Sequence, residues 1–120
     1  MKTGKIKLDL ASQPCEVAYR FREGAAPAIV VLHGYGSIGA DYDPLFQRLA
    51  LADNAILVYD APGHGQSVVD APEKLSVEDN LAAVKGLLAE FGIETAHLVY
   101  HSMGGIPALM LACENPNQIA

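Results

Sequence analysis

The chain has few basic residues and no cluster of them. Eight lysines and arginines stand against fourteen aspartates and glutamates, a net charge of −6. No basic stripe is present to meet a phosphate backbone, which excludes nucleic acid as an expected partner. Cysteine is scarce as well. Cys15 and Cys113 are far apart, with no C-x-x-C pair and no neighbouring ligand set. That excludes a disulfide framework and a cysteine metal centre, and leaves two buried free thiols as the expectation. The opening "MKTGKIKLDL" lacks an apolar core of signal-peptide length, and no run approaches the length that crosses a bilayer. The expected protein is soluble and cytoplasmic, with no membrane partner. What the chain does have is apolar content: 51% hydrophobic residues in 120, enough to pack the core of one domain.

That content is patterned. In "KIKLDL" Ile6, Leu8 and Leu10 alternate with charged residues, and in "CEVAYRFR" Cys15, Val17, Tyr19 and Phe21 alternate with mostly polar ones. Period-two alternation predicts strands with one wet face, and the short "ASQP" between them predicts an antiparallel hairpin at the margin of a sheet. The runs "AIVVL" (28–32), "AILVY" (55–59) and "HLVY" (97–100) are apolar without alternation, which predicts interior parallel strands covered on both faces. Asp43 followed by Pro44 predicts a helix start with Leu45, Phe46, Leu49 and Ala50 on its apolar stripe. Ser76 with Asp79 three residues on predicts a second helix, running through Val77, Leu81, Val84, Leu88 and Phe91 to a stop at Gly92. The segment "IPALMLAC", closed by Asn115 and Pro116, predicts a third helix buried nearly all round. The order predicts an α/β domain of three layers, α/β/α, with a mostly parallel sheet and an N-terminal antiparallel hairpin.

Residues 33–39, "HGYGSIG", spell G-x-G-x-x-G at Gly34, Gly36 and Gly39, directly after a strand. Asp60 closes the next strand about 20 residues later, where a dinucleotide site places its ribose-binding acid. Against that reading, pyrophosphate needs bare N–H groups at a helix N-terminus, and Asp41 and Asp43 occupy that ground. The stretch "VYHSMGG" (99–105) decides between the readings. A strand running into Ser102, then Gly104, Gly105 and a helix, fits a nucleophile elbow, in which a serine stands on a tight strand-to-helix turn. That turn would aim the Met103 N–H, at the start of a helix, at negative charge growing on a substrate oxygen.

With these motifs together, the chain resembles the N-terminal half of an α/β-hydrolase. "LHGYG" resembles that family's HG turn after the third strand, "YDAPGHGQS" (59–67) its D-x-P-G-H-G-x-S segment, and "HSMGG" its elbow. The resemblance implies that Ser102 is the nucleophile and that the N–H groups of Tyr35 and Met103 form the oxyanion hole. It places His33, Gly34, Gly36, Asp60, Gly63, His64 and Gly65 in loops at the active-site rim. Tyr100, His101, Gly104 and Gly105 complete the elbow. The G-x-G-x-x-G match becomes incidental.

The sequence departs from the family at two points. The elbow is usually G-x-S-x-G, and here Tyr100 takes the first small position, so the ring needs a local gap. The acid and histidine of the family's triad lie downstream of the nucleophile, so residues 1–120 are expected to be a partial domain without them, and inert alone. His33 and His64 are expected to hold loops, His97 to open a strand, and His101 to be directed away from the serine. The function implied is a serine hydrolase acting on a small-molecule ester or thioester through an acyl-enzyme, with no cofactor and no metal. A lyase or acyltransferase of the same fold, a non-catalytic small-molecule binder and, least, a dinucleotide-binding domain are the alternatives.

Overall fold

Alternation in the first twenty residues becomes a hairpin: β1 (Lys2–Asp9) pairs antiparallel with β2 (Pro14–Arg22), with Lys2 opposite Phe21 and Asp9 opposite Pro14. The computed structural model, which describes residues 1–120, continues through β3 (Ala25–Leu32), β4 (Asn54–Tyr59) and β5 (Ala96–Tyr100) into one sheet of order β1-β2-β4-β3-β5. Parallel pairing joins β4 to β3 and β3 to β5, while β2 meets β4 antiparallel, so β2 alone runs against the rest.

The unbroken apolar runs are explained by what lies on each side of them. Val30, Leu32, Leu57 and Tyr59 point to the larger core cluster, where α1 (Val77–Glu90) contributes Leu81, Val84, Leu87 and Leu88, and α2 (Gly105–Glu114) contributes Ala108 and Leu111. Ile29, Val31, Ile56 and Val58 point the other way, under Tyr42, Leu45, Phe46 and Leu51. Successive strand residues face opposite sides, so a strand buried on both must be apolar throughout. Three layers result, as expected.

Helix α1 has the predicted limits. The Asp79 carboxylate accepts the Ser76 N–H at 2.9 Å, and Gly92 closes the C-terminus with φ +63°. The same carboxylate accepts the N–H and hydroxyl of Ser12 at 2.7 and 2.8 Å, so one buried acid ties the β1–β2 turn to the start of α1. These bonds outweigh burial and hold Asp79 below its ordinary pKa. Asp79→Ala should therefore cost about 3 kcal/mol, because four donors, the N–H and hydroxyl of both Ser12 and Ser76, lose a charged acceptor. Urea unfolding of the two proteins checks this.

Four expectations need correction. The segment after β3 is a 3-10 helix, Gly39–Gln47, that begins before Asp43. The carboxylate of Asp41 accepts the Ile38 N–H at 3.2 Å and the Ser37 hydroxyl at 2.8 Å, which starts the turn early, and Pro44 inside it interrupts any α ladder. Asp43 instead accepts the Arg20 Nε–H at 2.6 Å. Leu49 is 91% exposed, in a separate turn, Leu49–Leu51. Helix α2 is buried on one face only, by Gly105, Pro107, Ala108 and Leu111, while Ile106 and Leu109 are exposed. Strand β5 is the edge of this sheet rather than an interior strand, so Val99 and Tyr100 are also exposed. Cys15 is buried, its thiol pKa raised chiefly by that burial, whereas Cys113 is exposed. No helix is long and apolar enough to cross a membrane.

Candidate active site

Pairing with β3 continues one residue past β5, where the His101 N–H donates to the Leu32 carbonyl at 3.2 Å. The chain then pivots. Ser102 has φ 51° and is the one non-glycine residue with positive φ. A left-handed conformation costs an L-residue roughly 1–2 kcal/mol, so the surrounding structure must hold it there. A 3-10 turn, Ser102–Gly104, leads straight into α2, the Gly104 N–H returns to the His101 carbonyl at 3.0 Å, and Ser102 is left exposed.

The neighbouring glycines show why the pivot fits. A Cβ on Gly104 would lie 2.7 Å from the Leu32 carbonyl carbon and 2.9 Å from the His33 oxygen, so the entry to α2 crosses the end of β3 at backbone contact. On Gly105 a Cβ would lie 3.1 Å from the Tyr100 ring. That missing side chain is the gap that admits an aromatic where the family usually has a small residue. Gly34 plays the same part toward His101, since its Cβ would meet Nδ1 at 2.6 Å. His101 therefore lies against the HG turn.

In that turn His33 is buried, with Nδ1–H donating to the Gly34 carbonyl at 2.8 Å and Nε2 accepting the Ala61 N–H at 2.9 Å. It clamps the loop after β3 to the loop after β4. Gly36 follows with φ +79° in open space, and Tyr35 between them is 84% exposed. Neither the Tyr35 N–H nor the Met103 N–H donates to any backbone acceptor.

Asp60 is buried and fully engaged. One carboxylate oxygen accepts the Gly39 N–H at 2.6 Å and the other accepts the Gln66 N–H at 3.0 Å. Gly65, with φ +52°, leaves the space that the carboxyl fills, and Gly63 has φ +80°. The acid is therefore buried and committed to the two loops rather than presented to a ribose, and the Asp41 carboxylate already caps the turn that would have met pyrophosphate. Both observations set the dinucleotide reading aside. His64 bonds weakly to the Pro62 carbonyl at 3.2 Å and packs against His33 and Tyr35. None of these histidine hydrogen bonds reaches Ser102, and His97 is exposed on β5.

Sequence reasoning missed three features. Buried Ser67 donates to the Asp60 carbonyl at 2.7 Å and accepts the Ala18 N–H at 2.9 Å, fastening the loop to β2; its place at the end of D-x-P-G-H-G-x-S was the available signal. A cleft of about 570 Å³ opens beside the turn, bounded by Tyr35, His64, Leu75, Asn80, Met103 and Ile106. Asn80 on its wall carried no sequence signal. No three His, Cys, Asp or Glu side chains come together in a metal-binding arrangement.

Burial also lowers the pKa of His33, outweighing its bond to Gly34. A lowered folded-state pKa means that the unfolded chain binds the proton more readily. His33 thus contributes stability that is complete above the unfolded value of about 6.5 and is lost as pH falls through the folded value. Between pH 7 and 5 the urea midpoint of the wild type should fall more steeply than that of His33→Gln.

A family profile described as the alpha/beta hydrolase fold matches residues 27–120. The chain is 38% identical over 109 residues to the dihydrolipoyllysine-residue acetyltransferase component of the acetoin cleaving system of Cupriavidus necator, covering 86% of this chain and 27% of that protein. It is 32% identical over 120 residues to the mouse sn-1-specific diacylglycerol lipase, covering 98% and 38%. The crystal structure of a hydrolase from Pseudomonas aeruginosa superposes with a TM-score of 0.79 at 28% identity, covering 97% of this chain and 43% of that one. The chain thus spans less than half the length of these proteins. A serine pivot between β5 and α2, a histidine-clamped turn after β3 and the profile match agree: the chain belongs to the alpha/beta hydrolase fold family.

Proposed function

We propose that this sequence carries the nucleophile and oxyanion-binding portion of a serine hydrolase acting on a carboxylic ester or thioester. The observation that carries the reading is the backbone at Ser102, an exposed serine held at φ 51° where a strand meets a helix. Ser102 Oγ attacks the acyl carbonyl. The Tyr35 and Met103 N–H groups, free of backbone acceptors, hold the charge that grows on the carbonyl oxygen, and the leaving alcohol or thiol departs as the acyl-enzyme forms. Water then attacks the acyl-enzyme and releases the acid. The acyl chain lies in the 570 Å³ cleft, whose wall includes both of those residues.

Serine needs a general base, and no histidine hydrogen bond reaches Ser102, while His101 lies against the turn at Gly34. His33 has both ring nitrogens occupied, and His64 is packed on the rim. Residues 1–120 alone are therefore expected to turn over esters at background rate, with the base and its acid supplied from elsewhere in the full-length protein. Transfer of the acyl group to a thiol or alcohol instead of water is the second reading, favoured by the likeness to an acetyltransferase component. Steady-state hydrolysis of p-nitrophenyl butyrate by the full-length protein, with and without an added thiol acceptor, tests both. Ester turnover that depends on Ser102 supports the proposal, and turnover unaffected by Ser102→Ala refutes it.

A further inference from the structure

Asn80, on the first turns of α1, is held from beneath. Its Oδ1 accepts the hydroxyl of Tyr59 at 2.6 Å, and Tyr59, the last residue of β4, is 1% exposed. Burial pushes the phenol pKa far up, so the hydroxyl stays protonated and donating. With the oxygen committed, Nδ2 is turned the other way. It has no acceptor in the protein, yet the one buried side-chain polar atom without a partner is Arg22 Nε, so Nδ2 reaches accessible surface, and the surface that Asn80 lines is the cleft. A fixed donor in a largely apolar wall selects for a ligand group that completes it.

We propose that Asn80 is a specificity-determining residue whose Nδ2 amide donates to a neutral acceptor, a carbonyl or ether oxygen, on the acyl chain occupying this cleft. The proposal rests on reading the cleft as the acyl pocket. The lining includes no lysine or arginine, and its one histidine is His64, so a neutral oxygen pairs with the amide without the desolvation cost that a buried carboxylate carries. A saturated hydrocarbon chain fits too, but leaves the amide unpaired, which costs about 5- to 20-fold in affinity.

The test is a titration of the 15N-labelled chain with 2-hexanone and with 2-methyl-1-hexene, which replaces the oxygen by a methylene group. The Asn80 side-chain amide signals are identified by their loss in Asn80→Leu. The ketone is expected to shift those protons downfield saturably, and to bind about 5- to 20-fold more weakly to Asn80→Leu and Asn80→Asp, while the alkene binds all three proteins alike. Asn80→Asp keeps an acceptor for Tyr59 while removing the donor, which separates lost recognition from lost folding. Failure of the ketone to bind, binding that leaves the Asn80 amide unmoved, or equal affinity in the variants would overturn the proposal. Because the readout is binding, its failure beside Ser102-dependent ester turnover removes this inference alone. Its success without such turnover removes only the enzymatic reading.

Discussion

Ser102→Ala in the full-length protein should lower kcat/KM for a p-nitrophenyl ester by about 10⁴- to 10⁶-fold, the loss seen when a serine hydrolase is deprived of its nucleophile. On the proposed reading, the two N–H groups and the cleft would still bind the ester and stabilise charge but would form no acyl-enzyme. The same position separates chemistry from folding. Alanine keeps the left-handed strain of residue 102, so melting should be unchanged within a few degrees. Ser102→Gly relieves the strain and should stabilise the protein by about 1 kcal/mol while abolishing activity equally. A pair of inactive variants, one more stable than the wild type, would show that the backbone at φ 51° is strained to serve the hydroxyl. Full activity in either variant, measured against p-nitrophenyl butyrate, would contradict this.

Gly104→Ala should be severely damaging, costing about 3–5 kcal/mol of a typical 5–15. The added carbon would lie 2.7 Å from the Leu32 carbonyl carbon and 2.9 Å from the His33 oxygen, and these are backbone atoms of a central strand and its clamped turn. Neither can yield without parting α2 from β3. Two controls give this meaning. Gly105→Ala places its methyl 3.1 Å from the Tyr100 ring, an exposed side chain free to swing, and should cost below about 1.5 kcal/mol. Gly36→Ala meets no atom within 4 Å and suffers only its φ of +79°, a cost of about 1–2 kcal/mol. Urea midpoints for the three variants should therefore rank Gly104 well below the others, and a mild Gly104→Ala would mean that the helix does not press on β3 as described.

The parts legible in the sequence were those fixed by local pattern. Alternation gave the hairpin, unbroken apolar runs gave strands with two covered faces, and Ser76 with Asp79 gave the start of α1. The turn from β5 into α2 at Ser102 could be located because strand, serine and glycines follow one another directly. Less legible were features decided by distant partners. Asp43-Pro44 resembles a helix start in isolation, but Asp41 reaches the Ile38 N–H first and Arg20 draws Asp43 away. Composition made α2 look buried all round, yet β5 stands at the sheet edge and leaves Ile106 and Leu109 exposed. Tyr100 at the elbow read as an anomaly, because the space that resolves it belongs to Gly105. Asn80 was silent, since its meaning depends on a tyrosine 21 residues earlier.

The account stands on Ser102 Oγ being the atom that becomes acylated. Treating the full-length protein with a fluorophosphonate, then locating the adduct by intact mass and peptide sequencing, tests it most directly. One adduct per chain, on the peptide containing Ser102 and absent from Ser102→Ala, is the predicted result. An adduct on another residue, or none in a preparation that hydrolyses p-nitrophenyl butyrate, would contradict it.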